Sequence, residues 1–182
     1  MAKVEKDINV SEVIKIRKYN LVVTQSYISI LMRVIFLGLI GWFLFTQVFM
    51  IIRNTGMGMF PSIKDGDVVL AYRLEKDYVK EDVVVYEHEG TQSLGRIVAR
   101  EGDIVDIDAN GTLRVNGTIQ SGEILYLTYA KEDIPYPYTV PEGNVFILGD
   151  YREQVKDSRD FGAVSIKDVE AKVITLLRRR GI

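Results

Sequence analysis

Gly56-Met57-Gly58-Met59-Phe60-Pro61-Ser62-Ile63-Lys64-Asp65-Gly66-Asp67-Val68-Val69-Leu70-Ala71-Tyr72-Arg73-Leu74 sets a turn-rich loop directly against a strand signal. Two glycines and a proline punctuate the first seven residues, whereas Asp67–Arg73 is a proline-free run rich in β-branched and aliphatic residues. The same pattern of short β-rich runs between turn residues continues downstream. The further candidate strands are Asp82–His88, Leu94–Arg100, Asp103–Asp108, Thr112–Val115, Ile124–Ala130, Val145–Leu148 and Ala171–Arg179. Asn110-Gly111 separates two alternating segments and predicts a tight hairpin, and Asn116-Gly117 offers a second. Pro135, Pro137 and Pro141 predict an extended loop. The last run can also be read as a helix ending in Arg178-Arg179-Arg180, a solvated terminus. Many short strands and few helical stretches argue for an all-β domain of folded, partly barrel-like sheets.

Upstream the chemistry changes. Val34–Ile52 reads VIFLGLIGWFLFTQVFMII, 19 residues without a charge between Arg33 and Arg53. As a helix it reaches ~28 Å, close to the ~30 Å of a hydrocarbon core. A cleavable signal peptide has a shorter apolar region and a shorter leader, so a stable single-pass anchor is the better reading. Lys3, Lys6, Lys15, Arg17, Lys18 and Arg33 precede the span, against Arg53 and Lys64 just beyond it. The positive-inside rule then puts the N-terminus in the cytoplasm and the remainder outside the cell membrane. The expected organisation is a cytoplasmic segment (1–33), a transmembrane helix (34–52) and an extracytoplasmic β domain (53–182). Val10–Met32 reads either as a helix at the inner surface or as an extension of the anchor.

The chain has 182 residues, a formal charge of −2, no cysteine and one histidine. Thiolate nucleophiles, disulfides and multi-His metal sites are therefore excluded. Neither a cofactor nor a nucleic-acid partner is expected. His88, between Glu87 and Glu89, reads as a solvated strand end. Tyr126, Tyr129, Tyr136, Tyr138 and Tyr151 read as core or loop packing, with an exposed patch as the alternative.

Four segments, in order after the anchor, resemble the type I signal peptidases, membrane-anchored serine endopeptidases that remove signal peptides from exported proteins. GMGMFPSIKDGDVVLAYRL (56–74) is similar to the family's G-x-S-M-x-P-[ST]-[LIM] loop and the strand after it. LGRIVAREGDIVDI (94–107) resembles K-R-[VI]-[VI]-G-x-x-G-D. TVPEGNVFILGD (139–150) is similar to V-P-x-G-x-x-[FV]-x-[LM]-G-D, and DSRDFG (157–162) to D-S-R-x-[FWY]-G. The resemblance implies a serine nucleophile in the first segment and a lysine base in the second, its pKa lowered by burial. Those positions are Gly58 and Gly95 here, and neither carries a side chain able to attack or to accept a proton.

The frame persists in Met59, Pro61, Gly102, Asp103, Gly149, Asp150, Arg152, Asp157, Ser158 and Arg159. The expectation is a pseudoenzyme, leaning away from catalysis. Met57, Gly58, Met59, Phe60, Pro61, Ser62, Leu94, Gly95 and Arg96 are the expected peptide groove, with Met57, Met59 and Phe60 as an apolar lip. An extended peptide binds such a groove through main-chain hydrogen bonds, without catalytic side chains. The resemblance extends to degenerate members found beside pilin genes in Gram-positive bacteria, which support pilus polymerisation. It implies a chaperone or assembly factor for exported polypeptides, pilin subunits among them, working at the lipid bilayer. An active peptidase with a non-standard dyad drawn from Ser62, Ser93, Ser158 and Lys64 is the second reading. A structural anchor presenting an interaction domain is the third.

Overall fold

The computed structural model describes residues 10–120 and 126–178. The chain divides into two compact units, one ending at Thr46 and one beginning at Gln47. Among the described residues the first unit is an unbroken helix, α1 (Val10–Val48), whose last two residues fall in the second unit, so Val10–Met32 continues the apolar helix. Between Lys18 and Val48 its only charged residue is Arg33, and Trp42, Phe43 and Leu44 are exposed along it. Lys3 and Lys6 lie outside the described residues.

The helix stops four residues short of the expected Ile52. Phe49–Arg53 is a strand, β1, paired antiparallel with β2 (Val68–Tyr72) from Phe49↔Tyr72 to Arg53↔Val68. An apolar run that passes from helix to strand has no marker in hydropathy alone, and pairing with β2 decides it.

Beyond β2 come β3 (Val83–His88), β4 (Thr91–Arg100), β5 (Ile104–Ile107), β6 (Leu113–Val115), β7 (Thr118–Ile119), β8 (Tyr138–Thr139) and β9 (Asn144–Leu148). A one-turn helix α2 (Ser158–Phe161), β10 (Val164–Ser165), a 3-10 turn at Ile166–Asp168 and β11 (Val169–Leu177) complete the unit. The seven-stranded sheet has the order β1-β2-β11-β3-β4-β9-β10 and the four-stranded sheet the order β7-β6-β5-β8. Among the described residues neither sheet closes into a barrel.

Asn116 and Gly117 turn the β6–β7 hairpin with positive φ at both residues, as a type I′ turn requires. Gly111, also at positive φ, lies between β5 and β6. Glu89 and Gly90 do the same between β3 and β4, which lets β4 begin at Thr91 rather than Leu94. The expected strand Ile124–Ala130 does not form where it is described: Tyr126–Ala130 is irregular, and Ile124 and Leu125 lie outside the described residues. Tyr126 packs edge-on against Tyr151 there, and Thr128 and Tyr129 turn their polar groups to buried arginines. The final run is a strand; Arg179 and Arg180 lie outside the described residues. Arg178 donates to the Ser62 carbonyl at 3.2 Å, so it holds the loop instead of ending free in solvent.

The two largest core clusters among the described residues hold the sheets. Val98, Val105, Leu113, Val140, Phe146 and Leu148 fill one, against which Tyr136 and Tyr138 pack. Val84, Tyr86, Ile97, Val145, Ile147 and Val169 fill the other, with Phe161 at its edge. His88 is half-buried and stacks on the Phe161 ring at 3.8 Å, a packed position rather than a solvated strand end.

Candidate functional site

The Gly56–Ser62 loop is fixed by its own backbone and by one asparagine. Asn54 is buried, and its amide donates to the carbonyls of Gly56 (3.2 Å) and Lys64 (3.0 Å). Gly56, at φ +94°, donates to Asp65 Oδ1 at 2.7 Å, a conformation that glycine adopts at little cost. Met59 is 1% exposed among Ile63 and Val69, so it anchors the loop to the core and is not part of an apolar lip. Met57 is exposed and Phe60 half-buried.

The 149–151 segment braces the loop from behind. Tyr151 N–H donates to the Gly58 carbonyl at 3.1 Å. A Cβ on Gly149 would stand 2.8 Å from that same carbonyl oxygen and from Val155 Cγ1, so only glycine permits the approach. Arg96 clamps the arrangement through a two-pronged pair with fully buried Asp150, Nε to Oδ1 at 2.9 Å and Nη2 to Oδ2 at 2.7 Å. It also reaches the Glu81 carbonyl at 2.9 Å and Ser62 Oγ at 3.4 Å. Such planar, two-pronged pairs fix orientation as well as charge.

Asp157 organises the second half of the frame. Its carboxylate accepts from Arg159 Nε and Nη2, both at 2.9 Å, from Arg159 N–H at 3.1 Å and from Gly149 N–H at 3.2 Å. It also caps α2 in a reciprocal capping box with Asp160. Arg152 donates to the Gly149 carbonyl and to Thr128 Oγ1, and burial pushes its guanidinium down to about 10, still charged at neutral pH. Lys131 ties Val155 to α2 by bonding both the Val155 carbonyl (2.6 Å) and Asp160 Oδ2 (2.5 Å).

The two glycines that stand where the dyad is expected face different surroundings. Gly58 borders a cavity of about 230 Å³, also lined by Thr55, Tyr86, Ser93, Leu94 and Lys156. A Cβ added at Gly58 would meet only Val155, Cγ2 at 3.5 Å and Cγ1 at 3.9 Å, both ordinary contacts. Gly95 is buried in β4, and a Cβ there would fall inside 3.0 Å of Ile147 Cγ2 and at 3.1 Å from Tyr86 Cε1. Ile147 is held there: its side chain lies in the core, and its N–H donates to buried Ser158 Oγ at 2.9 Å. The nucleophile half is open and the base half is packed shut.

Of the nine expected groove residues, Gly58, Met59 and Leu94 line the cavity; Met57, Phe60, Pro61, Ser62, Gly95 and Arg96 do not. Among the hydroxyls weighed for a substitute nucleophile, Ser158 is fully buried and bonded to Ile147, and Ser62 is turned to Arg96. Lys64 is exposed and outside the cavity lining. Ser93 lines the cavity. Tyr86, Ile147, Val155 and Lys156 are site residues that no local motif marked. The first two follow from register: Val84 pairs with Gly95 and Ile97 with Ile147, which makes Tyr86 and Ile147 diagonal neighbours of Gly95 on one face.

Comparison with known proteins agrees with this frame. Residues 25–177 match the family described as "Signal peptidase, peptidase S26". Signal peptidase IB of Staphylococcus aureus is 30% identical over 169 residues, covering 80% of this chain and 84% of that one. The probable thylakoidal processing peptidase 2 of Arabidopsis thaliana is 35% identical over 127 residues, but the match spans only 33% of its length. The crystal structure of a signal peptidase I from Enterococcus faecalis superposes with a TM-score of 0.47 at 27% identity, over 54% of this chain and 97% of that one. The chain belongs to the signal peptidase (S26) family. Members of the signal peptidase I family are membrane proteins that act on exported polypeptides bearing signal peptides, and this chain carries one N-terminal helix apolar and long enough to span a bilayer.

Proposed function

We propose that this chain is a non-catalytic signal peptidase homologue that holds exported polypeptides in an extended conformation. The observation that carries the reading is the asymmetry of the site. Ile147 and Tyr86 occupy the base position beside Gly95, while Gly58 still opens to a cavity. A dyad needs both side chains within hydrogen-bond reach.

The sheet supplies the means of binding. β3 pairs with Thr91–Arg96 of β4, whereas β9 pairs only with Arg96–Arg100. Among the described residues the outer edge of β4 over Thr91–Leu94 therefore has no strand beside it, and it runs into the Gly58 cavity. Unpaired main-chain groups at such an edge accept an added strand. In this reading α1 anchors the protein in the cell membrane with its N-terminus cytoplasmic and the β unit outside. The clients are exported or surface polypeptides, pilus subunits being the class that the resemblance points to.

A photo-crosslinking residue at position 58 tests this in cells. Capture of exported polypeptides is the expected result, and a groove that captures none is an idle scaffold. One observation favours a second reading: Ser93 and Lys156 line the same cavity as Gly58 and are the pair from which a non-standard dyad would be drawn. Preprotein cleavage by the purified protein, abolished by Ser93→Ala, would establish that reading and displace the first.

A further inference from the structure

We infer that the Tyr86 hydroxyl anchors the bound polypeptide, donating a hydrogen bond to a backbone carbonyl of an intact extended segment that lies along the outer edge of β4. The inference rests on the polypeptide-holding reading and names the residue that serves it. Tyr86 stands opposite Ser93 in the β3–β4 pairing, and its ring edge lies 3.1 Å from where a side chain at position 95 would begin. The phenol thus stands beside the place where the family resemblance expects a lysine.

Tyr86 is 2% exposed, yet its hydroxyl bonds to no described residue and is not sealed from solvent. Buried tyrosine hydroxyls ordinarily find a partner. Tyr78 donates to the Val169 carbonyl at 3.4 Å, and Tyr138 accepts from the Ala163 N–H at 3.2 Å. The Tyr136 hydroxyl also lacks a partner, but it is sealed inside the protein, where no ligand reaches it. Tyr86 instead lines the Gly58 cavity and a second recess of about 520 Å³, and the two share Tyr86, Ser93 and Lys156. Tyr86 therefore borders two adjoining recesses along the edge of β4 that no described strand covers.

The chemistry selects the acceptor. Burial, then the charges of Asp157 and Asp160, push the phenol above its ordinary value, so it stays protonated and donates. The Gly58 N–H, which bonds to no described residue, is a second neutral donor at the same cavity. Arg53 and Lys156 also line it, both exposed. Two neutral donors beside carboxylates suit a neutral amide carbonyl better than the carboxylate of a cleaved peptide.

The test uses the full chain in detergent and two fluorescent peptides of about ten residues centred on small side chains. One is amidated and continuous; the other ends in a free carboxylate at the second small residue. The wild type is expected to bind the amidated peptide more tightly, and Tyr86→Phe to weaken it about 3–10-fold while keeping the ring packing. NMR of protein with tyrosine labelled at Cζ should show the Tyr86 resonance shifting when the amidated peptide is added. Unchanged affinity in Tyr86→Phe, an unmoved resonance, or tighter binding of the carboxylate peptide overturns the inference and leaves the holding function standing. If the wild type binds neither peptide, the holding function itself fails, and the inference with it.

Discussion

Installing the family's dyad side chains, Gly58→Ser with Gly95→Lys, is expected to give no peptidase activity and a less stable protein. The serine fits, since its Cβ meets only Val155 at 3.5 Å and Gly58 is not at positive φ. The lysine does not. Its Cβ would overlap Ile147 Cγ2 by roughly 1 Å relative to an ordinary carbon–carbon contact. Ile147 is fully buried beside Val84, Ile97 and Val145, and its β-branched side chain is stiff at χ1. Overpacking a core in this way costs about 1–3 kcal/mol, and burying an ammonium among apolar side chains adds to it. At roughly 4 °C per kcal/mol for a unit of this size, a fall in Tm of at least 4–12 °C is expected. Adding Ile147→Ala removes the offending Cγ2. Alone that change costs about 2–5 kcal/mol, but in the lysine background it should cost at least 1 kcal/mol less. The assay is a thermal melt of all four combinations of the changes at positions 95 and 147, beside preprotein cleavage by the purified proteins. A Gly58→Ser/Gly95→Lys protein that melts like wild type and cleaves would refute the reasoning, because the base position would then be open.

Other outcomes follow from the frame. Arg96→Ala leaves Asp150 buried without its partner and should cost about 3–5 kcal/mol by denaturant unfolding; a loss below ~1 kcal/mol would mean that the pair is not structurally required. For Asp160, burial works to raise the carboxyl, but the Lys131 hydrogen bond, the Asp157 N–H and the charges of Lys131 and Arg159 outweigh it and hold it below its ordinary 3.8. Its folded value is thus the lower one, so its contribution is full well above that ordinary value and is lost as pH falls through the folded value. Asp160→Asn should cost about 1 kcal/mol at neutral pH and flatten the acid limb of stability, and superimposable limbs would contradict the clasp. A protein starting at Gln47 keeps β1 and should be soluble, whereas one lacking residues through Ile52 strips the edge strand from β2 and should melt lower. Persistent membrane binding of the Gln47 form would count against the single anchor.

Much of the frame is legible in the chain, because it is written in local chemistry. Asn116-Gly117 announces its hairpin through the positive φ that both residues must adopt. The alternating runs place β2, β3, β5 and β9 within a residue or two. The helix-to-strand change at Val48 was not legible, since Phe49–Ile52 is as apolar as the helix before it and only its partner β2 distinguishes it. Tyr126–Ala130 has strand-forming residues but is drawn into side-chain and carbonyl contacts with Arg152 and Arg159. At the site, the missing serine and lysine can be read residue by residue, whereas their different consequences cannot. What fills the space beside Gly95 comes from Ile147, 52 positions away in the chain and joined to it only by strand register.

The packing of Ile147 over Gly95 also bears on how such a chain can change over generations. A lysine at 95 and an isoleucine in this conformation at 147 exclude each other, so no single substitution leads back to a working base. On the proposed non-catalytic reading, a lineage returning to peptidase chemistry must pass through a form with Ile147 already pruned and weaker in its core. Gly58 presents no such barrier. The nucleophile is one mutational step away and of no use by itself, while the base lies behind a valley in fitness. On that reading the barrier, more than the missing hydroxyl, would make the loss of chemistry durable.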